Sequence, residues 1–215
     1  MSNLALIIGS KNYSSWSLRP WLALKQAGVE FQEICIPLDT PTTHTEILRY
    51  SPTGKVPVLQ DGDLTIWESL AICEYIAERY APQLWPQDTP SRAVARAVSC
   101  EMHSGFAELR RNMPMNCCAR LPGTGRTLKV QADIDRISNL WRNCRQTYGQ
   151  EGGVFCLVLF SIADAMFAPV ISRFVTYDVV LDDCCQEYIR TLWSLPAMQE
   201  WLYEAQAECK TPKSL

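Results

Sequence analysis

Three prolines in nine residues, in the stretch PQLWPQDTP from Pro82 to Pro90, constrain this chain more than any other feature. Proline has no amide to donate and drives the residue before it out of the helical region, so neither a helix nor a central strand passes through. The chain therefore divides here, with Trp85 as an aromatic anchor inside the linker. The two sides carry different hydrophobic periods. Before the prolines, strand and helix signals alternate; after them, only the helical period recurs, over Ser91 to Asn112, Leu128 to Tyr148, Ser161 to Tyr177, Asp183 to Leu192 and Pro196 to Ala207.

In the first part, Leu4 to Ile8 is a short unbroken apolar run ending at Gly9-Ser10, the pattern of a fully buried strand. Trp16, Leu18, Trp21, Leu22 and Leu24 then recur at helical steps, and Gly28 closes the helix. Phe31 to Ile36 alternates and reads as a second strand, completing a βαβ unit. After a connecting stretch, Val56 to Leu59 and Leu64 to Ile66 flank the turn Asp61-Gly62-Asp63, and Glu68 to Tyr80 returns to the helical period. The expected order is βαβ followed by ββα.

Composition excludes several classes of function. With 47% hydrophobic and 20% charged residues the chain folds around a core, and a net charge of −3 without basic clusters offers no field for nucleic acid. The opening residues lack the pattern of an export signal, and the longest apolar run, Val154 to Phe160, falls short of the roughly 20 residues of a membrane span. A cytoplasmic protein with no membrane partner is expected. Ten cysteines without a CxxC pair, and only two histidines, His44 and His103, read as buried or surface thiols rather than as a metal site.

Three stretches of the first part point to one ligand. Asn12-Tyr13-Ser14-Ser15-Trp16-Ser17 leads hydroxyl-rich into a helix; the serines can cap it, and one hydroxyl with the free amides can also stabilise an anion such as a ligand thiolate. Ser51 to Pro57 ends in Val56-Pro57, where a cis bond would turn the Val56 backbone outward for pairing with an added peptide. Glu68-Ser69 opens a helix whose amides favour a carboxylate, while Glu68 can take an ammonium, so the pair suits a zwitterionic amino-acid end.

Together, the loop into the first helix, the segment SPTGKVPVLQDGDLTIWESLAICEYIAERY, the proline-rich linker and the helical remainder resemble the cytosolic glutathione transferase superfamily, in a serine-loop form with a zeta- or theta-like first domain. The resemblance implies an α/β thioredoxin-like N-terminal domain over 1–80, a linker over 81–90 and an all-α C-terminal domain over 91–215. It implies glutathione as co-substrate, with the cysteinyl backbone on Val56 beside Pro57, the γ-glutamyl end on Glu68 and Ser69, Lys55 near the carboxylates, and His44 as a further contact. Thiol activation is assigned to Ser14 or Ser15. Alignment with the Trp-Arg-Val-Arg stretch of zeta-like relatives puts Asn12 where the activating serine usually falls, with Tyr13 beside it. A hydrophobic electrophile is expected between the domains, with Met102, Phe106, Met113 and Met115 as candidate lining, and a homodimer is expected. Two other readings stay open: a zeta-type isomerase that returns glutathione unchanged, and a non-catalytic binding or stress protein. In the helical part, Phe160-Ser-Ile-Ala-Asp164 resembles the family's capping box, whereas residues 154–159 depart from the segment usual before it.

Overall fold

In the computed structural model, which describes residues 4–149, 153 and 155–210, the first part forms a four-stranded sheet in the order β2-β1-β3-β4. Strand β1 (Leu4–Gly9) runs parallel to β2 (Gln32–Ile36) and antiparallel to β3 (Val58–Asp61), which pairs with β4 (Leu64–Trp67) across the Asp61-Gly62-Asp63 turn. Helix α1 (Ser15–Gln26) makes the crossover, α2 (Thr43–Leu48) fills the connecting stretch, and α3 (Ser69–Arg79) closes the unit. The continuous apolar run of β1 reflects burial on both faces. Leu4, Leu6 and Ile8 join the main core with α1 and α3, while Ile7 packs with Ile36, Ile47 and Val58 beneath α2.

After a short 3-10 turn at Pro82–Leu84 the helical part comprises α4 (Thr89–Ser104), α5 (Ala107–Asn112), α6 (Leu128–Tyr148), α7 (Ile162–Thr176), α8 (Asp183–Trp193) and α9 (Pro196–Lys210). Helix α7 is buried almost throughout and packs on both α1 and α4, so one apolar core runs from β1 to α9. Its start is fixed by the expected capping box. Asp164 accepts the Ser161 amide at 2.8 Å and hydroxyl at 3.0 Å, and also the Cys156 amide and the Tyr188 hydroxyl, both at 2.9 Å. The Val154 part of the preceding segment lies outside the described residues.

The structure corrects three expectations. Ser91 to Asn112 is not one helix: Phe106 sits in the left-handed region at φ 57° after Gly105, and the chain breaks into α4 and α5. The third strand begins at Val58 rather than Val56, because Pro57 has no N–H to donate to the ladder; the Val56-Pro57 bond is cis. Not all cysteines are free thiols, since Cys118 is bonded to Cys209 across 91 positions. Among the described residues no helix is long and apolar enough to cross a membrane.

Candidate functional site

Where the 53–57 segment meets the start of α3, a cleft of about 180 Å³ is lined by Trp16, Thr53, Lys55, Val56, Pro57, Trp67, Glu68 and Ser69. Pockets for drug-sized ligands run to roughly 300–1,000 Å³, so this cleft encloses one end of a ligand and leaves the rest over open surface. Five of its residues are among those the sequence singles out, and two separated motifs thus meet in one place.

Glu68 precedes α3 with φ at 69°, a strained conformation for a residue with a side chain. Its carbonyl nevertheless accepts the Ile72 amide at 2.9 Å, so the helix starts directly behind it. Ser69 is almost wholly buried, yet its hydroxyl has no hydrogen-bond partner among the described residues. A buried hydroxyl left unpaired is costly, and beside the free first-turn amides of α3 it is a ready contact for a carboxylate. Gly54, at φ 65°, lets the 53–57 segment turn: a Cβ there would lie 2.5 Å from the His44 ring. His44, on exposed α2, thus backs the segment and does not line the cleft.

The loop into α1 behaves differently from its four candidate residues taken as a group. None of Asn12, Tyr13, Ser14 and Ser15 lines the cleft, and Trp16 reaches it instead. Asn12 is buried against the helical part, where its side chain accepts the Cys118 amide at 3.0 Å and its amide donates to Glu208 at 3.3 Å. Tyr13 is exposed. The Ser14 hydroxyl donates to Ser17 Oγ at 2.7 Å, which also accepts the Gly9 amide at 3.2 Å. Ser14 therefore does not cap α1, and neither serine hydroxyl bonds a helix amide.

Sequence reasoning missed Trp16 and Trp67 as walls, because both fit the apolar period of their elements. It also missed a polar group on the far side of Trp16. His103 meets that ring edge-on at 5.3 Å, its Nε2 lies 3.6 Å from Glu68, and its Nδ1 is buried without a partner among the described residues. Burial, then the positive charges of Arg19 and Arg110, hold the imidazole below its ordinary 6.5, against the pull of Glu68. The expected apolar lining lies elsewhere: Met102, Phe106, Met113 and Met115 are buried in the core. Among the described residues no cysteine lines the cleft. Burial pushes Cys73, on α3, up to about 12.

Comparison with known proteins bears on both the segment and the whole chain. Residues 13–79 match the family model for the glutathione S-transferase N-terminal domain. Over 54 residues the chain is 48% identical to a dichloromethane dehalogenase of Methylophilus leisingeri, covering 24% of this chain and 20% of that one. Over 170 residues it is 29% identical to a maleylacetoacetate isomerase of Mus musculus, covering 78% and 76%. Of the curated relatives it matches over shorter stretches, the chain spans only a fifth to a third of the length. The solved theta class glutathione S-transferase of Xanthomonas axonopodis pv. citri, with glutathione bound, is 26% identical and superposes with a TM-score of 0.66 over 94% of this chain and 98% of its own. Residues 13–79 thus match a glutathione S-transferase N-terminal domain, and over 94% of this chain the fold is shared with the solved theta class enzyme.

Proposed function

We propose that the chain is a glutathione transferase that binds glutathione in the cleft and directs its sulfur at an electrophile with an apolar body. The observation that carries this reading is the meeting of Lys55, Val56, Glu68 and the unpartnered buried hydroxyl of Ser69 in one cleft at the start of α3. The γ-glutamyl carboxylate takes the Ser69 hydroxyl and the first-turn amides of α3, and its ammonium takes Glu68. The Val56 backbone pairs with the cysteinyl backbone, and Lys55 approaches the glycyl carboxylate. At the start of α1, the Ser14 or Ser15 hydroxyl and the free first-turn amides stabilise the thiolate. For Ser14 this requires its proton to turn from Ser17 to the sulfur. The thiol proton leaves to solvent. The sulfur bonds to the electrophilic carbon, and a displaced group departs with its electron pair. A homodimeric, cytoplasmic protein of detoxification fits this chemistry.

A second reading follows from the isomerase relative of Mus musculus, which aligns over 170 residues. There glutathione would add to an unsaturated substrate and leave again unchanged. The Ser-Ser-Cys pattern of the zeta form is absent, Asn12-Tyr13-Ser14 standing there instead, so conjugation is preferred. Thiolate absorbance of bound glutathione, titrated across pH in wild type, Ser14→Ala and Ser15→Ala, tests the proposal. Wild type should lower the thiol pKa, and one alanine variant should abolish the shift while still binding. Binding with no shift in all three proteins would replace the transferase by a binding protein.

A further inference from the structure

Trp16, a wall of the cleft, is surrounded by cationic and imidazole groups of α1, α4 and α5 that do not themselves line the cleft. Arg19, on α1, is fully buried, and none of its three guanidinium nitrogens has a hydrogen-bond partner among the described residues. The guanidinium lies 4.1 Å from the centre of the Trp16 ring. Arg110, on α5, lies 5.3 Å from the same ring, is half-buried, and donates one bond, to the His103 carbonyl at 3.1 Å. The carboxylate that acts on it, Asp133, is engaged by the Leu109 amide at 2.9 Å. Arg173, on α7, adds a second fully buried guanidinium, its own bonds going to the carbonyls of Met113 and Pro169. Glu68, exposed, lies 3.6 Å from His103.

A buried guanidinium with no partner is among the least favourable arrangements in a protein interior, and a neighbouring cation worsens it. Burial, then Arg173 and Arg110, lower Arg19 to about 9. A carboxylate at the half-buried Arg110 offsets part of this charge without touching Arg19. It matches the planar fork of arginine, takes a second donor from an imidazole, and supplies the missing negative charge. Trp67 lines the same cleft as Trp16.

We propose that the electrophile bears a carboxylate, gripped by the Arg110 guanidinium and His103 beside Trp16, with the buried Arg19 against the ring adding positive charge. A carboxylate site here builds on the transferase reading for the reaction, but its binding can be read without turnover. The same chemistry could hold a carboxylate of glutathione itself, so the test separates the two sources.

Quenching of tryptophan fluorescence measures the binding of dinitrobenzoate and of its methyl ester, in the presence of S-methylglutathione, which cannot react. Wild type should bind the acid roughly ten to a hundredfold tighter than the ester, the range of hydrogen bonds to a charged group. Arg110→Met should bring that ratio towards unity, and Arg110→Lys, which keeps the charge but not the fork, should leave an intermediate ratio. Equal affinity of acid and ester in wild type overturns the proposal. An unchanged ratio in Arg110→Met, with weaker binding of S-methylglutathione, overturns it too and assigns the cluster to the tripeptide. Equal loss of acid and ester in both variants means that Arg110 only packs on Trp16, which also overturns it. A strong acid preference with no thiolate on bound glutathione would sink the transferase reading and leave the carboxylate site standing.

Discussion

Gly54 and His103 show how single positions set the cleft. At Gly54 the backbone has φ 65° and the His44 ring closes the space a Cβ would need. Gly54→Ala should therefore lose roughly 1–3 kcal/mol of stability, from the left-handed backbone and the clash together. It should also weaken glutathione binding, because the 53–57 segment carries Lys55 and Val56 into the cleft; chemical denaturation and calorimetric titration check the two effects. At His103 the sign is set by neighbours. Its imidazole is held below 6.5 by burial and by Arg19 and Arg110, so it is neutral at pH 7. The unfolded chain takes up this proton first as pH falls, and the histidine's contribution to stability is lost from about 6.5 downwards. Nuclear magnetic resonance titration should give a midpoint below 6.5, moving up in Arg110→Met and further down in Glu68→Gln. A midpoint unmoved by either substitution would mean that these charges do not reach the ring.

Elements differ in how openly the sequence announces them. Strand β1, helices α1, α3 and α7 and the β3–β4 hairpin are legible because period and turn residues agree locally, and for α7 the cap as well. The short helix α2 is not, since six residues give less than two helical turns of pattern. The break between α4 and α5 is missed for a related reason: Gly105 alone is tolerable within a helix, and only tertiary packing puts Phe106 in the left-handed region. That miss matters for function, because the break sets His103 at the end of one helix against Arg110 of the next, tied by the bond from Arg110 to the His103 carbonyl. The site is thus legible where it sits on local motifs, at Val56, Glu68 and Ser69. It is illegible where separate helices converge on Trp16. Capping of α7 is the element where sequence and energetics agree most closely. Asp164→Ala would strip partners from the amides of Ser161 and Cys156 and from the Tyr188 hydroxyl, all buried. With roughly 1–3 kcal/mol per buried group left unpaired and some relaxation, a loss of about 4 kcal/mol is expected, and about half that for Asp164→Asn, which keeps an acceptor. Urea denaturation of the two variants checks the order.

For the whole molecule, Lys11 gathers several of the polar contacts between the first part and the last helix. Lys11 follows β1, and its side chain is 3% exposed. Its ammonium pairs with Glu33 of β2 at 2.7 Å and with Glu204 of α9. Its carbonyl accepts the indole N–H of Trp201 at 3.0 Å, and its amide donates to Glu208 at 2.9 Å. Trp21 of α1 meets Trp201 edge-on at 5.1 Å and donates to Glu33, and the Cys118–Cys209 bond holds the end of α9 to the loop beside Asn12. Position 11 is only two residues before the first part's exposed Tyr13, and nothing in its local sequence marks it as a junction, because its partners lie 22 and 193 positions away. Removing one partner of a buried pair typically costs about 3–5 kcal/mol, and since Glu33 and Glu204 both reach water, Lys11→Met should lie near the lower end, at about 3 kcal/mol. The pH dependence has a definite direction. Burial opposes the charge of Lys11, but the bonds to Glu204 and Glu33 outweigh it and raise the ammonium above 10.5. Its contribution is therefore complete below 10.5, where the unfolded chain is also protonated, and is lost as pH climbs through the higher folded value. Thermal denaturation of wild type and Lys11→Met should show a constant gap from pH 7 to 9 that narrows above 10.5. A gap that instead closes towards neutral pH would mean that the two parts are joined by apolar packing and the disulfide, with the ion pairs contributing nothing.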